Sequence, residues 1–139
     1  GTQSQLQNVV SLSCLYSRLA DQGYRVATPR GLTRLEPSAR LIVDRWIHES
    51  TEALLDSFVA INCLINPQAI LIGGRLPAVL VDRLAASLNH RMASFANQIP
   101  AIAPVARALT SDDAPAVGAA ILPFSYRLLP TRFALLKVT

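Results

Sequence analysis

The sequence predicts an α/β fold, rich in helix, with a small and incomplete sheet. Three observations carry this. Four stretches repeat their apolar residues at spacings of three and four, the period of a one-faced helix. Two short apolar stretches, residues 69–72 and part of 100–109, read as strands with a helix between them, the order of a βαβ unit. Finally, 139 residues at 51% hydrophobic composition form one domain that carries more apolar surface than a free-standing domain needs. With 16% charged residues and a mean hydropathy of +0.34, the chain is too apolar to be disordered.

The first helix is expected over residues 6–21, with Val9, Leu12, Tyr16 and Leu19 on one stripe and Gly23 as its stop. Residues 24–35, with Pro29 and Gly31, form a connector. A long helix starts near Pro37, where a first-turn proline loses no hydrogen bond, and ends before Pro67. Its first half carries Arg40, Asp44, Arg45, His48, Glu49 and Glu52, and its second half is apolar nearly all round. It should therefore leave solvent and finish buried in the core.

Residues 69–72 (Ala-Ile-Leu-Ile) suit a buried parallel strand ending in Gly73-Gly74. Pro77 opens a helix to about residue 95, with Leu80, Leu84, Leu88, Met92 and Phe95 on one face. In the second strand, Pro104 cannot donate to a ladder, which makes the strand short or places it at an edge. Ser111 suits an N-cap, with Asp112 and Asp113 in the first turn of a helix to about residue 128, interrupted at Pro123. Residues 131–139 are a terminal strand or tail.

The longest apolar run, residues 58–65, is far shorter than the roughly 20 residues a membrane-spanning helix needs. No charged segment followed by an apolar one opens the chain, so no signal peptide is expected and the location is read as cytoplasmic. The start at Gly1-Thr2, without Met, suggests a processed or excised piece. Cys14 and Cys63 lie apart, with no CxxC, and are expected to be buried thiols, neither a disulfide nor zinc ligands. The net charge of +4 comes from twelve singly scattered arginines and Lys137, a dispersed solvated surface and not a phosphate-binding face.

Gly73-Gly74 is the leading candidate for chemistry. Glycines admit close approach of a ligand, helix-start amides attract phosphate, and Arg75 could add a charge-assisted bond. Taken alone the pair is a weak signal, since a double glycine after a strand is more often just a tight turn. Gly118-Ala119-Ala120 allows close packing against a sheet or a ligand. Asp112-Asp113 could bind a metal but suits helix capping. His48 and His90 have no second ligand at a useful spacing, and Asp44/His48 and Glu49/Glu52 read as solvated helix-neighbour pairs. No Ser/His/Asp or Cys/His arrangement stands out, so no metal or catalytic residue is assigned.

The segment Asn66-Pro67-Gln68-Ala69-Ile70-Leu71-Ile72-Gly73-Gly74 resembles the "NP-x-x-hydrophobic strand-GG" segment of the ROK family (repressors, open reading frames and sugar kinases). About forty residues later, Asp112-Asp113-Ala114 and Val117-Gly118-Ala119-Ala120 are similar to that family's closing helix. Residues 11–19 resemble the helix after its zinc loop, and the likeness covers about residues 7–128. It implies one lobe of an actin-like, ribonuclease H-like fold with a sugar-binding cleft. Kinase members phosphorylate a sugar with ATP, and repressor members add an N-terminal winged helix-turn-helix and answer to a sugar. Gly73 and Gly74 match the nucleotide-side loop, with Gly118 packed close behind.

The family's first lobe, catalytic aspartate, main sugar ligands and zinc loop have no match here. The expectation is therefore the C-terminal lobe of a longer protein. The fragment should be inactive as an enzyme, hold no cofactor of its own and contact DNA only through an absent N-terminal domain. Its partners would be the missing lobe, further copies in a homo-oligomer and, for the intact parent, a sugar effector. Arg75-Leu76-Pro77 replaces a small, glycine-rich continuation and would crowd an adenosine-phosphate site, which favours a sugar-responsive regulator. A sugar kinase parent, with ATP, and a non-catalytic oligomerisation module are the alternatives.

Overall fold

The computed structural model describes residues 6–99, 101–109 and 119. The chain divides into two units, Gly1–Ala108 and Leu109–Thr139. The first contains, in order, α1 (Leu6–Val10), α2 (Leu12–Asp21), a 3₁₀ turn (Pro29–Arg34), α3 (Pro37–Ile65), β1 (Ile70–Ile72), α4 (Ala78–Ala93) and β2 (Val105–Arg107). In the second, Ala119 is helical. The expectations for Ser111, Asp112, Asp113, Gly118, Pro123 and the C-terminal segment lie outside the described residues.

The expected first helix is two. Ser11 is extended (φ −72°, ψ 149°), and its hydroxyl accepts the Cys14 N–H at 3.2 Å, so it caps α2 instead of continuing α1. The stop at Gly23 is as expected. With φ +84°, Gly23 donates to Ala20 O and Tyr24 donates to Leu19 O, each at 2.9 Å, a Schellman motif. The connector is more ordered than its composition suggests, because Pro29 presets the first φ of the 3₁₀ turn.

Helix α3 starts at Pro37 and ends where Asn66 turns left-handed (φ 49°) before Pro67. Its burial reverses the expectation. Val43, Trp46, Ile47, Ser50 and Thr51 are buried in the first half, whereas Leu64 and Ile65 at the end are 85% and 70% exposed. Packing selects one stripe, Leu55, Phe58 and Asn62, and leaves the rest of the apolar second half outside it. Helix α4 buries Leu80, Leu84, Leu88 and Met92 as its period predicts, and these join Leu15 and Leu19 of α2 and Trp46 and Phe58 of α3 in one core.

The strands pair in parallel, Ile70 opposite Val105 and Ile72 opposite Arg107, with α4 as the crossover. Strand β2 begins after Pro104, whose carbonyl accepts the Ile70 N–H at 2.9 Å. The proline thus enters the sheet through its acceptor alone. Contrary to a fully buried β1, Leu71 is 64% exposed, because Ile70 and Ile72 alone are packed against the core. Cys14 is half-buried and Cys63 exposed, so the expected pair of buried thiols is also corrected; both are free.

Acidic residues of α3 pair with arginines of neighbouring helices, not along their own helix. Asp44 meets Arg83 (2.6 Å), Glu52 takes both ends of Arg91 (2.7 and 2.9 Å), and Glu49 bonds Arg18. At the sheet, Asp82 meets Arg107 at 3.0 Å. Cross-helix distance, which periodicity does not encode, selects these partners.

Candidate functional site

The turn after β1 is positioned by the βαβ unit. Strand β1 delivers Gly73 and Gly74, Arg75 and Leu76 follow, and Pro77 caps α4. Gly74 has φ +137°, a conformation that side chains rarely adopt, and a Cβ there would meet nothing within 4 Å. Glycine is needed here for the backbone angle, while the space beside it is open. Gly73, Gly74 and Arg75 are all exposed.

Behind the turn lies a pocket of about 180 Å³ in which the three meet Leu12, Trp46 and Leu76. Trp46, the chain's single tryptophan, is 1% exposed, and its indole N–H donates to Val9 O at 2.9 Å. That bond satisfies the one polar atom of a buried ring and fastens α1 to the pocket wall. Sequence periodicity gave no prominence to Trp46, since an indole on a helix reads as core.

Tyr16 sits one turn along α2 from Leu12. Its hydroxyl is buried and has no hydrogen-bond partner among the described residues. Burial pushes the phenol pKa up, and the nearby Arg75 guanidinium works in the opposite direction. Ser50, fully buried on α3 one turn from Trp46, has the only other unpartnered buried hydroxyl among the described residues.

Of the expected site residues, Gly73, Gly74 and Arg75 therefore share one pocket, and Gly118 lies outside the described residues. His48 and His90 are exposed on α3 and α4. Among the described residues no three His, Cys, Asp or Glu side chains group as metal ligands, and no helix is long and apolar enough to cross a membrane.

The turn, its flanking strand and the crossover helix lie within residues 12–124, which match the sequence profile of the ROK family. The chain belongs to the ROK family. No curated protein matches it. Family membership covers both kinases and non-enzymes, so the chemistry of a ROK chain has to be argued from its site. Here that site is a double-glycine turn over a small, mainly apolar pocket, bordered by one arginine.

Proposed function

We propose that this ROK chain is the C-terminal lobe of the sugar-responsive effector and oligomerisation domain of a cytoplasmic transcriptional regulator. The observation that carries the reading is the pocket behind Gly73-Gly74. At about 180 Å³ it is smaller than the roughly 300 Å³ at which small-molecule sites begin, and Leu12, Trp46 and Leu76 make its walls apolar. Arg75 and Leu76 occupy the positions where a nucleotide's phosphates would need small residues. A pocket this small and apolar suits a lobe that supports an effector cleft better than one that turns over ATP.

The lobe would be one part of an actin-like fold, and the sheet edges support this. The Asn89 side chain occupies the outer edge of β2, on Val105. On β1, Ile70 and Ile72 bond towards β2, which directs the Leu71 backbone outward, where no described residue bonds it. Further strands would add at β1. In the intact parent, DNA would be met by a separate N-terminal domain and the sugar by the other lobe.

A sugar kinase is the second reading. It is favoured by the open space beside Gly74, where backbone could approach a phosphate. The test uses the intact parent with its own upstream DNA, a panel of sugars and Mg-ATP. Sugar-dependent release from DNA supports the regulator. Phosphorylation of a sugar, with ATP raising the Tm, replaces it with the kinase. Binding of neither DNA nor sugar leaves an oligomerisation module.

A further inference from the structure

A cleft of about 500 Å³ lies between the end of α2 and the first half of α3. It shares no residue with the double-glycine pocket. Its volume falls in the range of about 300–1,000 Å³ typical of small-molecule sites.

Four charged side chains line it. Arg18 and Glu49 bond each other and so neutralise each other. Asp21 and Arg45 also line the cleft, and neither has an ion-pair or hydrogen-bond partner among the described residues. The cleft therefore presents one uncompensated anion, from α2, and one uncompensated cation, from α3. The lining also includes Leu41, an apolar side chain left 69% exposed, beside half-buried Ile42.

The walls are set before any ligand arrives. The Schellman motif at Gly23 fixes the backbone around Asp21, Tyr24 OH donates to Ser38 Oγ at 2.6 Å, and the Arg18–Glu49 pair ties α2 to α3. The backbone of the cleft is thus preformed, while the exposed Asp21 and Arg45 side chains are ordered only on binding.

A simple anion would satisfy Arg45 but face Asp21. A metal ion would find a single free carboxylate, and a neutral polyol could hydrogen-bond both groups but would leave both charges uncompensated. We propose that this cleft binds a small zwitterion of the α-amino-acid type, with its carboxylate on Arg45, its ammonium on Asp21 and an apolar side chain against Leu41.

The test is a ¹H–¹⁵N NMR titration of the full chain with L-leucine, N-acetyl-L-leucine (no ammonium) and L-leucinamide (no carboxylate). Leucine should shift the amides of residues 21–24 and 41–45, and each blocked analogue should bind about two- to fivefold more weakly, the loss of one solvent-exposed ion pair. Both lining charges are exposed, so Arg45→Gln and Asp21→Asn should stay folded. Arg45→Gln should erase the preference for leucine over leucinamide, and Asp21→Asn the preference over N-acetyl-leucine. The proposal is overturned by no shifts with leucine up to about 10 mM, by equal binding of all three probes, or by variants that keep the wild-type preferences.

Discussion

Asn89 holds Val105 by both backbone atoms. Its side-chain amide donates to Val105 O, and its side-chain oxygen accepts the Val105 N–H, each at 2.8 Å. A residue of the crossover helix thus takes the place of a neighbouring strand. Asn62 does a related task one helix earlier: its amide donates to Phe58 O at 2.8 Å while its oxygen accepts the Ala103 N–H at 2.7 Å, leading the chain into β2. The sheet that presents Gly73 and Gly74 is held in place by two asparagines as well as by its own ladder.

Replacing Asn89 with leucine keeps the bulk and removes both bonds. Val105 is 4% exposed, so its N–H and C=O would lose their partners where water reaches them poorly. The expected cost is about 2 kcal/mol in urea denaturation. A loss under about 0.5 kcal/mol would mean that water replaces the amide without penalty.

Gly74→Ala should destabilise the chain by about 1–2 kcal/mol through its φ of +137° alone, since a Cβ there meets nothing within 4 Å. The measurement is the denaturation midpoint at unchanged m-value. A neutral result would show that the turn relaxes readily and that its backbone angle is not held by the fold.

Tyr16→Phe removes a buried hydroxyl that has no partner among the described residues. Deleting an unsatisfied polar group should leave stability unchanged or raise it by up to about 1 kcal/mol. Thermal unfolding checks this, and a clear fall in Tm would reveal that the hydroxyl has a partner in solution.

The Glu52–Arg91 pair predicts a pH dependence. Hydrogen bonding to Arg91 lowers the Glu52 pKa below the ordinary glutamate value of about 4.3. A carboxylate whose pKa is depressed by folding adds stability above its unfolded value and loses it as pH falls through the folded value. The stability difference between wild type and Glu52→Gln should therefore be constant near neutrality and shrink below about pH 4.3. A difference independent of pH would show that the pair is not formed in solution.

Much of this architecture was legible in the residues. Pro37 and Pro67 bracket α3, Gly23 ends α2, and the spacing of Leu80, Leu84, Leu88 and Met92 marks the buried face of α4. These signals are local: proline removes a donor, glycine admits positive φ, and a 3.6-residue period makes one stripe. The Asn-Pro to Gly-Gly segment likewise announced the family and the position of the turn.

Long-range packing resolves what the local pattern leaves open. An apolar end to α3 did not make Leu64 and Ile65 core, because burial depends on which neighbours arrive and not on composition. Glu52 found Arg91, 39 positions away, in place of a partner on its own helix. Asn89 found Val105, and Trp46 found Val9 O, through distances that only folding creates. Residue type and spacing set where helices and turns begin and end. The packing of those helices sets which polar atoms meet, and with them the walls of both the glycine-turn pocket and the charged cleft.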